Sequence, residues 1–141
     1  MNSEVVLGAI GMASLTVRPA DTSVAQALND LPILATPTLI NIFEGACTAA
    51  LAEHLAAGET SITSNFAVTS HASVGVGIEI RANATCVEIE GSICKFSIEV
   101  HQGTRLIASG LVDRKIVDRV SFAARIAAES ISRETLSREA I

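Results

Sequence analysis

TPTLINIFEGACTAALAEHLAAG, residues 36–58, is the stretch on which the architecture turns. Thr36 followed by Pro37 is a helix start signal: a hydroxyl residue as N-cap, then the residue whose fixed φ and missing N–H suit the first helical position. Gly58 is the matching stop. The spacing predicts a helix of about 21 residues, roughly 31 Å long. At about 100° per residue, Leu39, Ile40, Phe43, Cys47, Ala50, Leu51 and Leu55 share one broad stripe, and Asn41, Gly45, Thr48 and Ala52 lie opposite. A helix apolar over so wide an arc is built to be covered on most of its circumference. Glu44 falls inside the stripe, between the angles of Leu51 and Leu55. A carboxylate there is costly unless it is functional, reaches water or finds a partner such as Arg114.

Downstream of Gly58 the period changes to two. Ile62, Phe66 and Val68 alternate with Thr63, Asn65 and Thr69, which predicts a strand over 61–71 with the first three on the core side. Gly75 and Gly77 interrupt the pattern. Strands follow over 78–89, 92–101 and 104–117, joined by the hairpin signals Glu90-Gly91 and Gln102-Gly103. Upstream, residues 14–18 read as a short strand ended by Pro19. Asp21, Thr22 and Ser23 mark a turn, and Val24 to Leu28 suit one or two helical turns. From Ser121 the chain is Ala-rich and reads as a terminal helix.

One strand, one long apolar helix and four strands on tight turns leave few ways to bury both apolar faces. A curved antiparallel five-stranded sheet wrapped around the helix does so, the α+β arrangement called the hot-dog fold. The expected organisation is one domain over 1–141, with a core at about 14–118 and a helical tail at 121–141. An open five-stranded sheet leaves an edge and a half-open groove, so a homodimer joined edge to edge is expected.

Bulk composition bounds the function. The 141 residues are 49% hydrophobic and 18% charged, with a formal charge of −5, no Trp or Tyr and four Phe. An acidic chain poor in aromatics is not equipped to bind nucleic acid. Cys47, Cys86 and Cys94 show no C-x-x-C spacing, and the three His are scattered, so no metal site is expected. The first residues carry Glu4 and no basic n-region, and no apolar run reaches about 18 residues, which predicts neither a signal peptide nor a membrane span. A cytoplasmic protein is the expectation.

With those elements placed, several motifs become recognisable. They are Val17-x-Pro19, Ala35-Thr36-Pro37 with Glu44 downstream, Leu55-x-x-Gly58-Glu59, Val68-Thr69-Ser70-His71, Gly77, Glu90-Gly91 and Gly110-x-x-Asp113-Arg114. In this order they resemble the fluoroacetyl-CoA thioesterase-like branch of hot-dog proteins. The resemblance implies hydrolysis of an acyl-CoA thioester at a site between two subunits, with no cofactor beyond the CoA of the substrate. It carries catalysis to Thr36, Glu44 and His71, and substrate contact to Ser70, Gly77 and Arg114. Ungapped counting from Gly58 and back from Gly77 puts Ser70 at the family's His position and His71 one residue late. A slip of one residue turns a strand side chain to the other face. His71 therefore joins the site only if a bulge near Thr69 or Ser70 absorbs a residue. The lid Phe residues of the fluoroacetyl-specific member have no counterpart in Ala25–Leu34.

Each candidate also has a plainer reading. Thr36 could be an N-cap alone, His71 an exposed loop residue, and Arg114, with Lys115 and Arg119, a solvated strand edge rather than a holder of CoA phosphates. Two other functions suit the same fold: acyl-CoA binding without turnover, and enoyl hydration or dehydration. The sequence contains neither G-D-x-N-P-x-H nor H-F-P-G, the runs that accompany the last.

Overall fold

The computed structural model describes Met1 and residues 6–139, with side chains through residue 134. Glu4 and the last two residues of the expected tail lie outside the described residues. The elements are β1 (Ile10–Thr16), α1 (Thr36–Leu51), β2 (Glu59–Ser70), β3 (Glu79–Glu90), β4 (Ile93–Gln102), β5 (Arg105–Asp118) and α2 (Arg119–Glu139). The strands form one antiparallel sheet in the order β1-β3-β4-β5-β2. α1 connects the two edge strands and lies across the concave face, so the sheet curls around it as the apolar stripe requires.

Strict alternation builds the sheet side of the core. Ile80, Ala82, Ala84 and Cys86 of β3 and Cys94, Phe96, Ile98 and Val100 of β4 are all buried. Leu39, Ile42, Phe43, Ala46, Cys47, Ala50 and Leu51 of α1 face them. Two glycines seat the helix. A Cβ on Gly11 would run into the backbone of Ala46 and Ala50, and one on Gly110 into the Phe43 ring and the Ala67 carbonyl. The tight hairpins use Gly91 and Gly103 at φ +62° and +59°, where other residues are strained.

Several expectations are corrected. α1 ends at Leu51, not at Gly58, because Leu51 is its last residue in the core; the His54 N–H then bonds the Leu51 carbonyl at 2.9 Å and the chain turns toward β2. Core burial also shifts toward β1, so Ile42 and Ala46 are buried where Ile40 and Leu55 are only half-buried. Thr36 is not the N-cap. Ala35 holds that place, fixed in extended conformation by its N–H to the Asp21 carbonyl at 2.8 Å, and its own carbonyl accepts from the Leu39 N–H. β1 starts earlier than expected, at Ile10, and Val24–Leu28 forms an irregular turn with Ala27 at φ +60° rather than helix.

The largest correction is to β2. Its pairing with β5 jumps between Thr63 and Asn65, leaving Ser64 as a bulge. Ser61 and Thr63 upstream, and Phe66, Val68 and Ser70 downstream, therefore face the helix side, as their partners Ile116, Arg114, Val112, Gly110 and Ala108 do. Ile62, opposite Lys115, faces outward instead of sharing the parity of Phe66 and Val68. α2 leaves the sheet directly after β5, with the Ser121 N–H bonded to Asp118 Oδ1 at 2.8 Å, and exposes Val120, Ile126 and Ile131. Among the described residues, no helix is long and apolar enough to cross a membrane.

Candidate functional site

Glu44 and Arg114 meet on the side of α1 that faces β5 and β2. Arg114 is buried, not a solvated strand edge, and its NH1 lies 3.8 Å from Glu44 Oε1. The guanidinium is gripped from β2. Its Nε–H donates to Ser61 Oγ at 3.1 Å, its NH2 to the Ser61 carbonyl and Oγ at 2.9 Å each, and its NH1 to Thr63 Oγ1 at 2.7 Å. Glu44 is the less enclosed partner, with 39% of its side chain exposed. Cys47, one turn on, is buried beside this pair. Burial pushes its thiol up to about 12, with Arg114 pulling down and Glu44 adding to the rise, so it stays protonated as core filler.

Thr36 stands about 12 Å along the helix from Glu44, eight residues at the α-helical rise, so one chain does not bring the two together. Relieved of capping, its exposed hydroxyl makes no hydrogen bond among the described residues. The backbone N–H groups of Thr36 and Thr38 have no intrahelical acceptor, as at every helix start. This end of α1 lies beside the loop after β2, tied to it by the Leu34 N–H to the Val74 carbonyl at 2.9 Å and by the bridge between Ile33 and Gly75.

Ser70 and His71 part company at the end of β2. The ladder is regular from Asn65 through Ser70, so the bulge expected near Thr69 or Ser70 is absent. The irregularities fall instead at Ser64 and in the facing strand, where Ile107 is skipped in the β4–β5 register and accepts both the His71 and Ala72 N–H groups. Ser70, opposite Ala108, lies on the helix side. His71 turns to the outer face, where its Nε2 is 2.8 Å from Ser109 Oγ. The structure thus does not carry the His71 imidazole toward Glu44. Gly77, at φ +88°, bonds Val17 at the opposite, β1 edge of the sheet.

Sequence reasoning reached Glu44 and Arg114 but not Ser61 and Thr63. Their only signal was two hydroxyls at strand spacing, opposite Arg114 once β5 is laid against β2. Within the cluster Arg114 is enclosed and Glu44 is the open member. Phe66, on the edge strand β2, is 50% exposed. A hollow of about 450 Å³ between β1, Arg18, Asp21 and α1, and one of about 770 Å³ on the outer face around Arg81 and His101, both lie away from the cluster. Among the described residues, no three His, Cys, Asp or Glu side chains are grouped to hold a metal ion.

Comparison with known proteins bears on the family and the fold. Residues 17–120 match the model of the FlK family, fluoroacetyl-CoA-specific thioesterase. The fluoroacetyl-CoA thioesterase of Streptantibioticus cattleyicolor is 28% identical over 94 residues, covering 67% of this chain and 68% of that protein. A thioesterase superfamily member from Thermus thermophilus superposes with a TM-score of 0.85 at 21% identity, covering 92% and 96% of the two chains. A threonine-to-serine mutant of FlK in complex with acetyl-CoA gives 0.81 at 23% identity, covering 87% and 97%.

Proposed function

The chain belongs to the fluoroacetyl-CoA-specific thioesterase family, and we propose that it hydrolyses an acyl-CoA thioester at a site completed by a second copy of itself. The observation that carries the reading is Glu44: a carboxylate held 3.8 Å from a buried guanidinium, yet open enough to reach a ligand. A structural ion pair of this kind closes to direct hydrogen bonds. This one leaves the carboxylate oxygens free to take a proton from water. The acetyl-CoA complex of a relative supports a CoA substrate.

The second copy solves the distance problem. Pairing β2 with its own copy, antiparallel about mid-strand, sets the Ser70 end of one chain beside the Glu59–Thr63 end of the other. Thr36 then faces the partner subunit's Glu44. The thioester oxygen is received by the Thr36 hydroxyl and the free N–H groups at the start of α1, where the helix dipole favours developing negative charge. Glu44 activates the water that attacks the carbonyl carbon, and the CoA thiolate departs. Fluoroacetyl selectivity is not carried over to this chain, since Ala25–Leu34 has no Phe where the fluoroacetyl-specific member has its lid.

A second reading, acyl-CoA binding without turnover, draws on one observation: His71, the imidazole expected at the site, lies on the outer face. Glu44→Gln decides between them. It keeps volume and removes the base, and is expected to lower acyl-CoA hydrolysis by about 100-fold or more. Turnover equal to wild type would remove Glu44 from the chemistry. A wild type that binds acyl-CoA and hydrolyses none would establish the second reading.

A further inference from the structure

We propose that Ser61 and Thr63 are positioning residues of the thioester-hydrolysing site: their hydroxyls hold Arg114 back from Glu44 and so keep the carboxylate free to act. The inference rests on the functional reading of Glu44 given above. An arginine and a glutamate left to themselves close to a hydrogen-bonded pair with N···O at about 2.7–2.9 Å. Here the approach stops at 3.8 Å, and the cause is on β2. Thr63 is directly opposite Arg114, and Ser61 is the next residue of that strand on the same face. Ser61 receives the Nε and NH2 edge of the guanidinium, and Thr63 receives NH1. The group is planar, so fixing these bonds fixes the direction of the whole fork. Four of its five N–H bonds end on β2, and one NH1 hydrogen remains for the side where Glu44 lies.

The chemistry of the clamp matters as much as its place. Hydroxyl and carbonyl oxygens satisfy the guanidinium hydrogens without neutralising its charge. A carboxylate in the same place would cancel it. The positive charge of Arg114 is therefore presented to Glu44, while direct contact is withheld. Both hydroxyls face inward only because the Ser64 bulge separates their parity from that of Phe66, Val68 and Ser70. Without the bulge, a strand with Phe66, Val68 and Ser70 inward would turn Ser61 and Thr63 outward, and Arg114 would have no holder.

The test compares Thr63→Val, which keeps the shape and loses the acceptor, with Thr63→Ser, which keeps the acceptor. The substrate is whichever of acetyl-, butyryl-, hexanoyl- or octanoyl-CoA the wild-type protein hydrolyses fastest, followed by release of free thiol. Thr63→Val is expected to lower kcat by about tenfold or more with KM within twofold, and Thr63→Ser to retain most of kcat. In a Glu44→Gln background, Thr63→Val should cost nothing further, because the two act through one group. Ser61→Ala, measured alongside, should lower kcat in the same way and gives a second reading if Thr63→Val does not fold. Wild-type kcat in both variants would overturn the inference. So would an equal loss in Thr63→Ser, or an undiminished loss in the Glu44→Gln background. Failure of the functional reading looks different: it shows as a wild type without turnover, or as a fully active Glu44→Gln, before any clamp variant is compared.

Discussion

At the scale of single residues, the deciding question is which side chain at the end of β2 shares a face with Glu44. Ser70 does and His71 does not, since the ladder runs without a break from Asn65 to Ser70. His71→Ala is therefore expected to leave acyl-CoA hydrolysis within about twofold, while Ser70→Ala lowers it; an alanine at a loop position with one exposed hydrogen bond costs little. Steady-state kinetics of the two variants on one acyl-CoA decides it, and a large loss in His71→Ala with Ser70→Ala unaffected would reverse the assignment. Much of this was legible in the sequence. Glu44 is conspicuous as a charge inside an apolar stripe, Arg114 is a possible partner for it, and ungapped counting puts Ser70 at the family's His position, although the resemblance carries catalysis to His71. Ser61 and Thr63 were hidden by a bulge at Ser64, a residue without the glycine or proline that usually marks a break. Unbroken alternation gives Ile62 a core position that the bulge hands to its neighbours.

At the scale of elements, α1 sits where it does because two strands lack side chains beneath it. Gly11 of β1 lies under the Ala46–Ala50 backbone, and Gly110 of β5 lies under the Phe43 ring. Gly11→Ala would place a methyl group against helix backbone that has no rotamer with which to yield. It is expected to destabilise the fold by about 1–3 kcal/mol, read as a lower Tm, and to weaken catalysis by tilting the helix that carries Glu44. An unchanged Tm would mean that the helix is not seated on this glycine. Neither contact was legible in advance, because a glycine in a strand pattern signals close approach without naming what approaches. The early end of α1 escaped for a related reason. Residues 52–57 include three alanines and a leucine, good helix formers, and Gly58 is the visible stop. What ends the helix is that the core ends at Leu51, a tertiary fact.

At the scale of the whole molecule, a single chain keeps its two candidate groups apart, one at the start of α1 and the other at its middle. The start, at Thr36, has an open hydroxyl and N–H groups without intrahelical acceptors, and the middle, at Glu44, has the clamped guanidinium beside it. Both border β2, an edge strand whose helix-side residues Phe66 and Ser70 are exposed. An edge with apolar residues on its inner face is a pairing surface, and in the proposed dimer a two-fold partner placed there brings Thr36 of one chain to the Glu44 group of the other. The fold class is readable from the order of elements, but the assembly rests on an edge, since no stretch of sequence states what pairs with it. Phe66→Asp tests the assembly. The substitution puts a charge where the proposed dimer would bury a ring, and leaves the isolated chain nearly unaffected because Phe66 is already 50% exposed there. Sedimentation at micromolar concentration is expected to show a dimer for the wild type and a monomer for Phe66→Asp, with hydrolysis lost in step with mass. Raising the concentration of the variant should restore both together, as mass action on one equilibrium requires. A monomeric variant with undiminished kcat would place the whole reaction within one chain and break the shared-site mechanism, whatever the role of Glu44.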